Sequence, residues 1–215
     1  MKSLLRVALV LSVSLCGLVL HADDSKDGFK PLFDAKTLTG WEGKLKWFRV
    51  EDGAVVAGTL KEKIPNNEFL CTEKTYKNFE LRLKAKLVGE GANAGIQFRT
   101  KRIPNHHEVS GYQCDMGMMG KDVIWGSLYD ESRRKKFLVV GPQDKVQPAV
   151  KLGGWNDFVI RAEGPHIQIW VNGVQTVDFT EKDEGIDDSG IIGLQIHSGP
   201  ASEASYKEIR IKELP

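Results

Sequence analysis

Apolar and polar side chains alternate without a break over nine residues, from Phe79 to Leu87. Because neighbouring side chains of a β-strand point to opposite faces, this pattern predicts a long strand with one buried face. Shorter alternating runs follow at 155–162 and 166–171, and Asn172-Gly173 then suits the positive φ angles of a tight hairpin turn. No stretch shows sustained helical periodicity. The chain is therefore predicted to be all-β.

Further strand-like runs lie along the whole chain, at 46–50, 54–59, 68–72, 94–99, 111–116, 124–129, 192–197 and 205–212. More than ten strands joined by Gly-rich turns predict two antiparallel sheets packed as a jelly-roll sandwich. The apolar residues expected between the sheets are Phe79, Leu81, Leu83, Ile96, Phe98, Ile160, Ile169, Leu194 and Ile196. No internal repeat or linker divides the chain, so we expect one domain.

The first residues have the layout of a secretory signal peptide. Lys2 and Arg6 precede an apolar run of 14 residues from Val7 to Leu20, and the chain then becomes polar. A run of this length is short for a membrane span, so stable membrane insertion is not expected. We predict cleavage after Ala22, a signal peptide at 1–22, a β-sandwich domain at 23–215, and a secreted or periplasmic protein.

Charge and cysteine content limit the partners. Removing Lys2 and Arg6 leaves 28 basic residues against 29 acidic ones, so nothing in this balance points to nucleic acid. Cys71 and Cys114 are the cysteines of the mature chain, in a compartment that permits disulfides. A bridge between them and two buried free thiols are both open alternatives.

Three strand-like segments each place two polar side chains on one face. The pairs are Gln97 with Arg99, Gln113 with Asp115, and Gln195 with His197. A solvated face more often carries Lys, Glu and Thr, so these residue types favour a face that contacts a ligand. Ordinary solvent-facing positions are the alternative.

Aromatic residues supply a second indication of a sugar ligand. Trp125 and Tyr129 would share a strand face, and aromatic rings pack against the C–H face of sugars. Glu131 and Arg133 follow directly and are further candidates for substrate binding. Aromatic residues that fill the core are the competing interpretation.

Metal and cofactor motifs are weak. His106-His107-Glu108 lies in a turn, and adjacent residues of an extended chain rarely bind one ion. The acidic run 183–188 lacks the spacing of an EF-hand loop. No cofactor and no metal ligand is predicted, with a divalent metal left as an open alternative.

Short motifs along nearly the whole mature chain resemble the 3-keto-disaccharide hydrolase domain family. The matching segments are Phe29-Lys30-Pro31-Leu32-Phe33-Asp34, Leu38-Thr39-Gly40-Trp41, Trp47-Phe48-Arg49-Val50-Glu51-Asp52-Gly53, Asn78-Phe79-Glu80-Leu81, Asn93-Ala94-Gly95-Ile96-Gln97-Phe98-Arg99, Gly111-Tyr112-Gln113, Trp155-Asn156, Asn172-Gly173 and Gly193-Leu194-Gln195-Ile196-His197. The resemblance implies a concanavalin A-like jelly roll that binds an oxidised carbohydrate. It also implies a partner, an upstream sugar 3-dehydrogenase that makes the keto-sugar.

The implied reaction cleaves a 3-keto-glycoside. A ketone at C3 acidifies the C2 proton, and the glycosidic oxygen at C1 then leaves from the position β to the carbonyl. Such a reaction needs a base, an acid and an oxyanion stabiliser. Asp115 and His197 are the acid and base candidates, Arg99 would hold the enolate oxygen, and Gln97, Gln113 and Gln195 would bind hydroxyls.

The chain departs from the commonest family pattern at one point. There a Glu follows Gly111-Tyr112 and a Gln comes two residues later, whereas this chain has Gln113 and Asp115. The carboxylate has moved along the strand while staying on the same face. A non-catalytic carbohydrate-binding module of the same fold is the alternative function. An ordinary endo-glycosidase of this fold would carry a Glu-x-Asp-x-x-Glu array, which this sequence lacks.

Overall fold

The computed structural model describes residues 27–215, so the predicted signal peptide lies outside the described residues. Within that part of the chain, no helix is long and apolar enough to cross a membrane.

The described residues form seventeen strands and one short helix. The first strands are β1 (Lys30–Pro31), β2 (Trp41–Glu42), β3 (Phe48–Glu51), β4 (Ala54–Thr59), β5 (Glu68–Thr72), β6 (Phe79–Val88), β7 (Ala94–Arg102) and β8 (Val109–Met116). There follow β9 (Met118–Met119), β10 (Asp122–Val123), β11 (Leu128–Glu131), β12 (Lys136–Val139) and α1 (Gln143–Ala149). The last are β13 (Asn156–Glu163), β14 (His166–Val171), β15 (Val174–Thr180), β16 (Ile191–Ile196) and β17 (Ser202–Glu213).

The strands form two antiparallel sheets and a separate small hairpin of β9 and β10. Sheet A has the order β15-β14-β13-β6-β17-β4-β3, with β1 added beside β17. Sheet B has the order β12-β11-β8-β7-β16-β5-β2. Both sheets also pair strands that are distant in sequence, such as β6 with β17 and β7 with β16, as in a jelly roll. The predicted all-β, two-sheet antiparallel sandwich is confirmed.

The core lies between the inner faces of the two sheets. All nine residues predicted from the alternating runs are buried there, each at most 3% exposed. The outer face of sheet A is partly open to solvent, since buried and half-buried residues alternate along β6. The faultless alternation of 79–87 therefore corresponds to a strand with one buried face.

Sheet B differs because β7, β8 and β16 are buried on both faces. We call the face of sheet B that points away from the core the polar face. The residues between β7 and β8, with the strand ends that flank them (101–110), form the hairpin tip, which contacts that face. Val109 of the tip packs with Phe69, Cys71 and Ile191 in an apolar cluster separate from the core. The tip therefore covers part of the polar face.

A β-bulge between Phe98 and Lys101 redirects the chain before the tip. Arg99 lies in the bulge with a φ of +47°. On the partner strand, a Cβ at Gly111 would lie 2.7 Å from the Cα of Thr100, so only glycine allows this close approach. The bulge also shifts the alternation of side chains, so residues on either side of it no longer share faces as in a regular strand.

Two local expectations are wrong. The predicted strand 124–129 begins only at Leu128, because Trp125 and Gly126 form a turn in which Gly126 has a φ of +76°. Trp125 does not reach the polar face: it is 1% exposed in the core, stacked on Phe158 of sheet A at 6.0 Å between ring centroids.

The two cysteines are free thiols, so they do not form the bridge that the sequence left open. Cys71 lies on the polar face with Val109, whereas Cys114 lies in the core between the sheets. The two cysteines therefore lie on opposite faces of sheet B. Burial raises the pKa of the Cys71 thiol to about 12, so it is a packed rather than a reactive group.

Candidate functional site

A chain of hydrogen bonds crosses the polar face of sheet B and ends on Asp115. The Thr100 hydroxyl donates to the side-chain oxygen of Gln97 at 3.1 Å, and the side-chain NH₂ of Gln97 donates to the side-chain oxygen of Gln113. The Gln113 amide in turn donates to Asp115 Oδ1 at 2.5 Å. Each amide orients the next one. The chain therefore fixes the position of one carboxylate oxygen of Asp115.

Glycines make room for these long side chains. Gly95 is opposite Asp115 in the ladder, and a Cβ there would lie 2.6 Å from Gln113 Cδ. Gly193 is opposite Gln97, and its Cβ would lie 3.2 Å from that of Gln97. The predicted pair Gln113 and Asp115 thus shares one face, with Gln97 beside them. Their contacts engage Gln97 and Gln113 with each other and with Asp115 rather than leaving their amides free.

Asp115 is a buried carboxyl group with no lysine or arginine at ion-pair distance among the described residues. It is 4% exposed. Burial raises the pKa of Asp115 to about 7 against the lowering effect of the Gln113 amide, and the charge of Glu131 adds to the rise. A carboxyl group with this pKa can both give and take a proton near neutral pH.

Tyr129 and Glu131 of β11 lie on the polar face within electrostatic range of Asp115. Tyr129 pairs with Gln113 across the ladder, and its ring meets Phe137 edge-on at 5.1 Å. Burial raises the pKa of the Tyr129 hydroxyl, and the charges of Glu131, Asp115, Asp130 and Glu108 raise it further. Several carboxyl groups therefore lie within electrostatic range of one phenol.

Burial also raises the pKa of Glu131, as does the charge of Glu108, while the Ser132 backbone N–H and His197 lower it. We call Asp115, Glu131 and Glu108 the acidic cluster. Within the described residues, none of these three carboxylates has a lysine or arginine within ion-pair distance.

His197 follows β16 at the rim of the polar face and is half-buried. Its backbone N–H donates to the Asn93 carbonyl oxygen at 3.1 Å. Its ring Nδ1 lies 2.7 Å from the Ser198 carbonyl oxygen. A carbonyl only accepts, so Nδ1 carries the hydrogen, and in the neutral ring Nε2 then holds the lone pair. Nε2 is therefore the atom of His197 that can accept a proton.

Gln195 lies in the same ladder row as Asp115, with Gly95 between them. Its side chain is fully buried, yet neither amide atom has a hydrogen-bond partner among the residues that the structure describes. The Asn93 side-chain oxygen nearby is likewise buried and unpaired within the described residues. Unsatisfied buried polar groups are costly and rare, so they mark positions where a ligand can supply the missing partners.

Arg99 does not belong to this site, which corrects the predicted pair of Gln97 and Arg99. Because of the bulge, its guanidinium points toward sheet A, to the segments that precede β6 and follow β13. There it donates to the carbonyl oxygens of Lys77 at 2.8 Å and Gly164 at 2.6 Å, and to the Asn78 side chain at 3.3 Å. Thr100 takes its place beside Gln97.

Arg133 is also directed away from the polar face, which corrects its assignment to substrate binding. Its Nε lies 2.9 Å from Asp130 Oδ1, and its guanidinium covers the Tyr112 ring at 4.6 Å. Asp130 is fully buried and also pairs with Arg134, whose guanidinium reaches Glu181 at 2.6 Å. We call Asp130, Arg133, Arg134 and Glu181 the arginine clamp. It joins β11 to the loop that follows β15 in sheet A.

Sequence reasoning missed two residues of the site. Glu108 accepts a hydrogen bond from Asn67 at 3.1 Å, and the Asn67 side-chain oxygen accepts one from the Ser198 backbone at 2.9 Å. The motif His106-His107-Glu108 was the available signal, but it suggested only a metal. The described residues contain no group of three His, Cys, Asp or Glu arranged to hold a metal ion.

An open cleft of about 600 Å³ lies elsewhere, between the edge strands β12 and β15. Its walls include Phe137, Phe179, Lys136 and Asp183. It contains none of the unsatisfied amide or carboxylate atoms found on the polar face. The convergence of titratable groups, rather than cleft size, therefore identifies the candidate site.

Comparison with known families gives one match over most of the chain. The profile of the 3-keto-alpha-glucoside-1,2-lyase-like domain matches residues 28–212. This match confirms the resemblance predicted from the sequence motifs. The comparison with curated protein sequences gave no match.

Solved structures of similar fold include proteins named as glycosyl hydrolases, a carbohydrate-binding module and a β-glucanase. A proposed glycosyl hydrolase from Parabacteroides distasonis has a TM-score of 0.69 and 22% identity, over 92% of this chain and 99% of that one. A carbohydrate-binding module from Bacillus subtilis has a TM-score of 0.58 and 12% identity, over 81% and 96%. The Bacillus licheniformis β-glucanase has a TM-score of 0.56 and 12% identity, over 86% and 97%. At these identities the likeness is one of fold.

Proposed function

Because the chain belongs to the 3-keto-alpha-glucoside-1,2-lyase-like domain family, we propose that it is an enzyme that cleaves 3-keto-glycosides on the polar face of sheet B. The observation that carries this proposal is the convergence of the acidic cluster and His197 beside the unpaired amide of Gln195. Asp115 is a buried carboxyl group with a raised pKa and no lysine or arginine at ion-pair distance among the described residues. Such a group costs stability and is characteristic of sites that move protons.

The first step is removal of the C2 proton. An imidazole ring acts as a base through a free nitrogen lone pair, and in His197 that atom is Nε2 because Nδ1 is engaged with the Ser198 carbonyl oxygen. As the C2–H bond breaks, its electrons form an enolate with the C3 ketone. Gln195 Nε2 is the nearby unpaired donor that suits the enolate oxygen, in the role that the sequence had assigned to Arg99.

The second step is loss of the aglycone. The enolate electrons form the C1–C2 double bond while the C1–O bond breaks, and the leaving oxygen takes a proton. Asp115 can donate that proton because its pKa of about 7 keeps a large fraction protonated at neutral pH. The hydrogen bonds from Thr100 through Gln97 and Gln113 keep its carboxyl group in place. We assign contacts with sugar hydroxyls to Tyr129 and Glu131, because β11 brings both residues to the same face of sheet B as Gln113.

Net hydrolysis follows when water adds across the double bond and His197 returns its proton to C2. The substrate must already carry a ketone at C3, so an enzyme of the sugar 3-dehydrogenase class has to act before this one. We place both in the secreted or periplasmic compartment, as the expected signal peptide implies.

The test compares a 3-keto-disaccharide with its unoxidised parent. The mature protein is expected to release the aglycone from the keto form only. Asp115→Asn and His197→Gln should each lower turnover by roughly 10²–10⁴ and change sugar affinity little, because they remove titration while keeping shape. Asp157→Asn, at an exposed site of sheet A, is the matched control.

Two outcomes contradict the proposal. Full activity of both variants would mean that other residues move the protons. Binding of the keto-sugar without any release of aglycone would favour a non-catalytic carbohydrate-binding module, the class of the Bacillus subtilis structure with a similar fold.

A further inference from the structure

The hairpin tip carries a carboxylate, that of Glu108, which is linked by hydrogen bonds to the candidate site. Glu108 Oε1 accepts a hydrogen bond from the Asn67 amide at 3.1 Å, and His107 Nδ1 lies 3.6 Å from the same oxygen. Glu108 Oε2 is buried and has no hydrogen-bond partner within the described part of the chain. One oxygen is thus anchored, and the other is free to accept a proton.

Asn67 links Glu108 to the proposed base. Its side-chain oxygen accepts a hydrogen bond from the Ser198 backbone N–H at 2.9 Å, while the Ser198 carbonyl oxygen is held by His197 Nδ1 at 2.7 Å. Glu108, Asn67, Ser198 and His197 therefore form one connected network. The position of Glu108 relative to His197 is set by three hydrogen bonds.

Glu108 also lies close to the sheet residues of the site. Its charge contributes to the raised pKa values of both Glu131 and Tyr129. The fully buried and unpaired amide of Gln195 lies on the same face. The hairpin tip that holds Glu108 packs on this face through Val109. Glu108 thus approaches the site from the hairpin tip, whereas Asp115 and Gln195 rise from the sheet.

We propose that Glu108 is a catalytic residue that activates the water of the hydration step, an inference that rests on the proposed function. Glu108 Oε2 takes a proton from water as the water oxygen bonds to C1 of the unsaturated keto-sugar. The double-bond electrons move toward the C3 carbonyl, and C2 receives the proton held by His197. Glu108 then returns its proton to solvent and Asp115, which protonated the aglycone, takes one back from solvent. H and OH have thus been added across C1 and C2, and both carboxyl groups are restored.

The experiment separates elimination from hydration in Glu108→Gln. We expect aglycone release within about threefold of the parent enzyme, while formation of the hydrated keto-sugar falls roughly 10²-fold. The unsaturated keto-sugar should then accumulate, detected by the absorbance of its conjugated ketone. The ratio of unsaturated to hydrated product does not depend on the folded fraction, so reduced stability cannot imitate this result.

Two further variants sharpen the test. Glu108→Asp keeps the carboxylate and should recover part of the hydration rate. Glu62→Gln, an exposed glutamate 57% accessible, should leave the product ratio of the parent enzyme. The unsaturated keto-sugar, supplied directly, measures hydration by itself.

The proposal is overturned if Glu108→Gln hydrates the supplied unsaturated sugar at the parent rate, or if aglycone release and hydration fall together. A parent enzyme that hydrates the unsaturated sugar but releases no aglycone from the 3-keto-glycoside would contradict the proposed elimination and leave the role of Glu108 intact. The two failures are therefore distinguishable.

Discussion

Asp130 and Glu131 are consecutive residues of β11 that point to opposite faces of sheet B and meet opposite environments. Asp130 is fully buried and paired with Arg133 and Arg134 in the arginine clamp. Glu131 belongs to the acidic cluster and has no basic partner at ion-pair distance within the described residues. The carboxylate on one face of β11, that of Asp130, is thus neutralised by arginines, whereas the carboxylate of Glu131 on the other face is not.

The pKa directions of the two regions differ accordingly. In the clamp, burial alone would raise the pKa of Glu181, but hydrogen bonds from Arg134 and Tyr112 lower it to about 2. In the acidic cluster, burial raises the pKa of Asp115 to about 7 and also raises that of Glu131. The clamp therefore stabilises the fold with charges that stay fixed. The cluster keeps groups that can exchange protons, at a cost in stability.

The largest expected loss of stability is in the clamp. Asp130→Asn leaves two mostly buried guanidinium groups without their shared carboxylate, and we expect a loss of about 3 kcal/mol in the free energy of unfolding. Urea unfolding measures it. Asp157→Asn, an exposed matched control, should change stability by less than about 0.5 kcal/mol. Loss of turnover in the folded Asp130→Asn protein would break the separation of the two regions.

Arg99→Lys should lower the stability of the protein, as a change in the arginine clamp would, and leave catalysis unchanged. A lysine cannot reproduce the three hydrogen bonds of Arg99 to Lys77, Gly164 and Asn78, so we expect a loss of roughly 2 kcal/mol of stability. Turnover per folded molecule should stay unchanged when it is corrected for the active fraction. A large fall in turnover with unchanged stability would instead restore Arg99 to the site.

Gly95→Ala is the smallest of these effects and acts on the site alone. The added methyl group would lie 2.6 Å from Gln113 Cδ and would displace the amide that orients Asp115. We expect a fall of about tenfold in turnover, which corresponds to roughly 1.4 kcal/mol in the activation free energy. Steady-state kinetics on the 3-keto-disaccharide measures it. An unchanged turnover would mean that the glutamine chain does not position Asp115.

The sequence predicted what depends on regular alternation. The strands, the nine core residues, and the shared face of Gln113 and Asp115 all follow from a period of two. The prediction for Arg99 was wrong because the bulge interrupts the alternation of side chains along β7. A bulge depends on close backbone contacts, such as that of Gly111 with Thr100. The prediction for Trp125 was wrong because the chain forms a turn at Gly126, which directs the Trp125 side chain into the core.

Long-range contacts explain the residues that the sequence did not predict. Glu108 and Asn67 are 41 positions apart, and no local pattern shows that the hairpin tip packs on the polar face. Arg133 follows Asp130 by three positions and Glu131 by two, so spacing alone did not show which carboxylate it would pair with. Its partner is determined by the face of β11 that meets sheet A.

The central claim is that the acidic cluster lowers the stability of the folded protein and thereby keeps a carboxyl group that can be protonated at the site. The folded pKa of Asp115, about 7, is above the ordinary aspartate value of 3.8. The stability that Asp115 contributes is therefore complete below about pH 4 and is lost as the pH rises through 7, by up to roughly 4 kcal/mol. Asn cannot ionise, so an Asp115→Asn variant avoids this loss.

The most direct measurement is the free energy of unfolding of the parent protein and of Asp115→Asn at pH 4 and pH 8, together with turnover on the 3-keto-disaccharide. The account predicts that, from pH 4 to pH 8, the free energy of unfolding falls less in the variant than in the parent, so that the variant is the more stable protein at pH 8. Its turnover should be lower by roughly 10²–10⁴. Equal pH dependence of stability in the two proteins, or full turnover in the variant, would contradict it.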